Sequence, residues 1–173
     1  ENDEAMERFY RMEHQELGDF AARMYEAVAV HKEDHRLVLR RSGVVRQGAQ
    51  DVAIEVHKRY FFHETRITVQ YHLQNRGSVV LDTLFAPEIN LALPPVEQSK
   101  PTMRVLHPDG SEQDVRNQAD TLANVSGLIY RDYVNNVVVQ VSASETVDFW
   151  ILPVETSFLS SGELRRQYQA SCV

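Results

Sequence analysis

The chain has 173 residues, 43% of them hydrophobic, with 18 basic against 25 acidic residues and a net charge of −7 at pH 7. That length is one domain by the usual prior and enough to bury a two-layer core. The acidic balance, with no basic stripe, argues against a nucleic-acid binder, and no apolar run approaches the ~20 residues that span a bilayer. Nothing in the charged, polar start resembles a signal peptide. The single cysteine, Cys172, rules out an internal disulfide and fits a reducing, cytoplasmic setting. The first residue is Glu1 rather than a methionine, which reads as a piece of a longer protein.

In chain order, residues 2–17 read as a helix. Asn2 or Asp3 caps it, and Met6, Phe9, Tyr10 and Leu17 fall near one face. Gly18 is the expected stop. Ala27–His31 and Arg36–Arg41 are short strands around a polar turn, and Ser42–Gly43 and Gln47–Gly48 mark further turns. After Pro94–Pro95 comes a polar connection, then a strand at Met103–His107. Pro108–Asp109–Gly110–Ser111 is a turn in which proline fixes φ and glycine takes the positive-φ position. Glu112–Ala123 reads as an irregular loop. Gly127–Val134 and Val137–Val141 flank Asn135–Asn136 as a hairpin. Ser142–Glu145 is expected to turn the chain into Val147–Pro153, and Glu163–Val173 is a last strand. About nine to twelve short strands and one helix indicate a sandwich or barrel.

The best-patterned stretch is Asp51–Pro94. Ile67, Val69, Tyr71 and Leu73 alternate with Arg66, Thr68, Gln70, His72 and Gln74, the period of a strand with one face in a core. A turn at His63–Glu64 pairs Ile54 with Leu73, Val56 with Tyr71 and Tyr60 with Ile67. A three-residue loop at Asn75–Arg76–Gly77, with Gly77 left-handed, then pairs Leu73 with Val79, Tyr71 with Leu81 and Ile67 with Phe85. A one-residue slip would move whole side-chain sets to the wrong face. The reading is therefore a three-stranded antiparallel meander.

Motifs for phosphate loops, zinc hydrolases and serine nucleophile elbows are absent, as is a CxxC pair. No catalytic residue and no cofactor is expected. The expected register puts Glu55 opposite His72 and His57 opposite Gln70 on the polar face. Glu55, His57 and His72 are thereby a candidate three-ligand metal site, against the plainer reading of a solvated face with a modest cross-strand pair. Glu88 and Asn90 share the face of the third strand opposite Phe85, Ile89, Leu91 and Leu93. Pro87, between Phe85 and Ile89, marks an edge or a bulge. A carboxylate and an amide two residues apart accept from and donate to sugar hydroxyls, and the one tryptophan, Trp150, is a candidate platform for a pyranose ring. Phe61, Tyr130, Tyr133 and Tyr168 are further aromatic candidates.

Several short motifs carry a family resemblance. They are Leu17–Gly18–Asp19–Phe20 with Met24–Tyr25, the run Val38–Leu39–Arg40–Arg41–Ser42–Gly43, Lys58–Arg59–Tyr60, and Ile67–Thr68–Val69–Gln70–Tyr71–His72–Leu73. Phe85 to Leu93, Pro153–Val154–Glu155–Thr156, Ser160–Ser161–Gly162–Glu163 and Tyr168–Gln169 complete the set. In these the chain resembles the C-terminal domain of family-57 glycoside hydrolases, the 4-α-glucanotransferases and α-amylases acting on α-1,4-glucans. Ala170 stands where the family leads one to expect glycine.

The resemblance implies an all-β fold, a large β-sandwich similar to galactose mutarotase, with residues 1–17 as the end of a linking helical segment and 18–173 as the sandwich. It implies a catalytic barrel earlier in the same parent chain as the first partner and α-glucan as a second. It carries no catalytic residue onto this chain. The alternatives are a free-standing sugar epimerase of the mutarotase type and a protein-interaction sandwich.

Overall fold

The computed structural model describes residues 2–11, 13–91, 103–115, 120–133 and 135–172, and for 2, 3, 10, 155–157 and 165–172 the backbone alone. The fold is all-β: the described residues form antiparallel sheets and one short helix, the make-up expected of a β-sandwich. It divides into two compact units, Gln15–Phe85 and Glu1–His14 with Ala86–Val173. Among the described residues no helix is long and apolar enough to cross a membrane.

The first unit is a four-stranded sheet of β1 (Glu26–His31), β2 (Arg36–Gln47), β3 (Gln50–Phe62) and β4 (Ile67–Asn75), paired in sequence order. Gly48 turns β2 into β3 at φ +62, the conformation that the first position of a two-residue hairpin loop requires of glycine. The even-numbered side of β3 carries the core, with Val52, Ile54 and Val56 buried beneath Phe20, Tyr25, Val45 and Leu81.

Three expectations fail here for physical reasons. Ser42–Gly43 is no turn, because β2 runs straight through it. A Cβ on Gly43 would lie 2.3 Å from Asp19 Oδ1 and 2.9 Å from the Phe20 ring, so this glycine serves a close approach rather than a bend. The β3–β4 register is offset by two residues, pairing Val56 with Leu73, Lys58 with Tyr71 and Phe62 with Ile67. Residues 63–66 form the loop, closed by the His63 N–H donating to Arg66 O at 2.8 Å. An offset of two keeps every side chain on its expected face.

The third meander strand does not form. Asn75 accepts from the Gly77 N–H at 2.8 Å and donates through Nδ2 to Val79 O at 2.7 Å. The Arg76 N–H donates to Ala53 O. Gly77 keeps a negative φ because this side-chain turn replaces the left-handed one. Past it, the Gln47 amide donates to Val80 O at 3.1 Å and accepts from the Asp82 N–H at 2.8 Å. A side chain thus occupies the place of a neighbouring strand.

In the second unit the helix α1 (Asn2–Tyr10) is shorter than expected. Leu17 and Gly18 belong to the first unit's sheet instead: Leu17 O accepts from the Arg46 N–H at 2.7 Å and Gly18 bridges Val45. The six strands are β5 (Asn90–Leu91), β6 (Met103–Leu106), β7 (Glu112–Val115), β8 (Asp120–Asp132), β9 (Val137–Ser160) and β10 (Glu163–Cys172), in the order β5-β10-β9-β8-β6-β7. Part of the expected loop at Glu112–Ala123 is therefore strand. Arg104 draws β7 onto β6 by pairing with both Glu112 and Asp114. Gly110 takes φ +83 in the Pro108–Ser111 turn, and the Asp109 carboxylate accepts from the Ser111 amide and hydroxyl. These two hydrogen bonds hold the Asp109 pKa below the ordinary aspartate value.

The expected turn at Ser142–Glu145 is absorbed into β9. Between Val125–Val147 and Gly127–Ser142, β8 advances two residues and β9 five, so the polar residues bulge out without reversing the chain. The hairpin at Asn135–Asn136 forms as expected, with Asp132 accepting from Asn135. At Ser161–Gly162 both loop residues have positive φ, the type I′ geometry. The cores are Met103, Leu128, Tyr130 and Ile151, then Val105, Val125 and Phe149. The Pro94–Pro95 connection, Leu93 and the Tyr168 side chain lie outside the described residues.

Candidate functional site

Glu88 and Asn90 come together, with Asn90 Nδ2 donating to Glu88 Oε1 at 2.7 Å, both side chains exposed. Asn90 sits in β5 at the rim of the six-stranded sheet, and Pro87, expected inside a strand at its edge or bulge, lies before this strand begins. Its backbone partner Cys172 pairs on the other side with Leu152. Cross-strand partners project to one side of a sheet, so Asn90, Leu152 and Trp150 share a face. The Trp150 ring is half-buried there, 6.0 Å from Phe9 of α1, beside Met6 and Leu152. It is a packed ring under a helix rather than an open platform. Of the other aromatic candidates, Tyr130 is buried in the core and Tyr133 exposed.

The polar face of the four-stranded sheet is more organised than the sequence suggests. His57 stands opposite His72, their rings 6.2 Å apart and edge to face. Glu55 stands opposite Gln74. The Glu55 carboxylate accepts from Arg76 at 2.8 Å and from the Ser42 hydroxyl at 3.4 Å, and it shares a hydrogen bond of 3.0 Å with His57 Nε2. Arg76 first and His57 second hold its pKa down at about 2. The guanidinium already supplies the counter-charge a metal would bring to Glu55, and among the described residues no three His, Cys, Asp or Glu are arranged to hold one. Arg76 and Ser42 are the partners sequence reasoning missed, since both belong to segments read as turns.

A folded-state pKa depressed this far adds stability above the unfolded value of 4.5, lost as pH falls towards 2. Arg76→Ala is therefore expected to move the Glu55 carboxyl titration up towards 4.5, read from side-chain carboxyl shifts by NMR. A titration unchanged by the substitution would show that the guanidinium is not the cause.

On the opposite side of this sheet lies a cluster for which the sequence held one signal, a lysine at an apolar position of the alternation. Lys58 follows Val52, Ile54 and Val56 on the core side of β3. Its ammonium rests 4.0 Å from the Tyr25 ring centre and 5.9 Å from that of Tyr71. Burial lowers the Lys58 pKa and raises those of Tyr25 and Tyr71. One turn of the pleat further, Tyr60 and Phe62 lie nearly parallel, ring centres 6.2 Å apart. Phe85 closes on Tyr71 edge to face at 5.1 Å.

The segment before Tyr25 is tied to β2, where Arg41 donates to Met24 O at 3.5 Å. Asp19 pairs with Arg41 and accepts from the Val44 N–H at 3.1 Å, while the Arg41 guanidinium also lies 5.5 Å from the Phe20 ring centre.

No curated protein and no solved structure matches the chain. A family model described as "Alpha-amylase/4-alpha-glucanotransferase, C-terminal" matches residues 1–173. With the whole length matched, this chain belongs to the alpha-amylase/4-alpha-glucanotransferase C-terminal domain family.

Proposed function

We propose that this chain is a non-catalytic β-sandwich part of an enzyme that processes α-1,4-glucans. In this reading it buttresses a catalytic barrel earlier in the parent chain and touches the glucan. The observation that carries it is the family match over residues 1–173, whose description as a C-terminal domain implies a catalytic part before it. The chemistry of the four-stranded sheet is consistent with a non-catalytic role. A carboxyl held at about 2 by a guanidinium is a poor acid or base at neutral pH. The exposed Glu88–Asn90 pair, on a face with Trp150, offers an acceptor and donors to sugar hydroxyls.

The test is to prepare the parent enzyme whole and truncated before this chain, and to follow thermal inactivation alongside turnover of maltotriose and amylose. The expected result is a truncated enzyme that inactivates at a lower temperature and loses more activity on amylose than on maltotriose. Equal thermal stability and an equal loss on both sugars would overturn both parts of the proposal.

A further inference from the structure

We propose that Tyr25, Lys58, Tyr60, Phe62 and Tyr71, on the core side of the four-stranded sheet, form a binding site for α-1,4-glucan. This rests on the reading that the chain touches glucan, and it adds to the Glu88–Asn90 rim a second, different surface.

Three observations carry it. The Lys58 ammonium is flanked by two tyrosine rings, and among the described residues no carboxylate pairs with it. The rings of Tyr25 and Tyr71 both lie against the Lys58 ammonium, with Tyr60 next along the same side of β3, and among the described residues no hydrogen bond engages the three phenols. The Tyr60 and Phe62 rings stack nearly parallel at the end of β3, with Phe62 43% exposed and Ile67 beside it 63% exposed.

A surface of ring faces interleaved with hydroxyls and one ammonium fits a ligand with an apolar face and a hydroxyl edge. A pyranose has both: its C–H face lies on an aromatic ring while its rim hydroxyls accept from an ammonium and exchange hydrogen bonds with phenols. A purely apolar partner fits worse, because covering this face would bury an ammonium without a counter-charge. A free anion would engage Lys58 but leave the Tyr60–Phe62 pair without a role. Tyr60 and Phe62 are thus the platform, Lys58 and the phenols the hydroxyl readers.

The experiment is an NMR titration of the 173-residue chain with maltoheptaose, repeated on Phe62→Ala, Tyr60→Leu and Lys58→Met. Phe62 is exposed, so its truncation tests the site without touching the core, and Lys58→Met keeps the apolar stem between the rings. The expected result is shifts at Tyr25, Lys58, Tyr60, Phe62 and Tyr71, with each variant weakening binding about tenfold, the change that ~1.4 kcal/mol of lost contact gives. Shifts confined to Glu88, Asn90 and Trp150, unaltered in the variants, would overturn this site and leave glucan contact by the chain standing. No shift anywhere would overturn both. Shifts at Phe62 and Ile67 that follow protein concentration without sugar would assign the face to self-association and overturn the proposal.

Discussion

Ile151→Ala is expected to lower the stability of the six-stranded sheet by about 2–5 kcal/mol, the range for emptying a fully packed aliphatic position. Ile151 has no exposed surface and lies among Met103, Leu128 and Tyr130. Its β9 backbone is paired with Asp120 on β8, and the adjoining strand β6 also carries ladder bonds to β8. Neighbours pinned this way cannot close the gap, so the cavity term adds to the transfer term. Trp150, the one tryptophan and the next residue along, supplies the readout as its fluorescence is followed in urea. A midpoint that stays at the wild-type position would mean that this cluster does not hold the sheet.

Asp19→Ala is expected to cost about 2 kcal/mol in the four-stranded sheet, less than a fully buried pair because the carboxylate is partly solvated. Side-chain exposure is 11% for Arg41 and 35% for Asp19. Removing the acid leaves a largely covered guanidinium with no counter-charge and only the Met24 carbonyl to accept from it, and takes the acceptor from the Val44 N–H. The damage comes from the abandoned charge. The double variant Asp19→Ala/Arg41→Met is therefore expected to be more stable than Asp19→Ala alone.

The same substitution frees the segment that carries Tyr25. The Lys58 side-chain protons, 4.0 Å from the Tyr25 ring centre at the ammonium, then lose their ring-current shift. Lys58 shifts that do not move would show that Tyr25 is fixed by something other than Asp19.

Much of this could be read from residues a few positions apart. The alternation in 65–74 placed Tyr71 and Leu73 on the core side and His72 and Gln74 on the other, and a register offset of two left that intact. Pro108–Ser111, Asn135–Asn136 and Gln47–Gly48 turn where their residues say. The motifs from Leu17 to Gln169 pointed to the family that the whole-length match establishes. Turn chemistry, pleat parity and motif residues are local properties, legible without knowing which strand lies beside which.

Only tertiary structure decided the rest, because distant partners override local preference. Gly43 looks like a turn until Asp19 is seen packed over it. Ser142–Glu145 looks like a turn until β8 is seen holding both flanks of it as a bulge. Residues 78–85 look like a strand, yet the Gln47 amide takes the backbone groups a strand would use. The Glu55 cluster was legible as residues that share a face. Arg76 arrives from a loop and turns a candidate metal ligand into an ion pair. The Lys58 cluster needed Tyr25, 33 residues earlier in the chain. Local chemistry thus determined the fold class and the faces of the strands. Long-range pairing determined which side chains meet, because a sequence pattern carries no information about which distant group satisfies a buried charge or a free backbone amide.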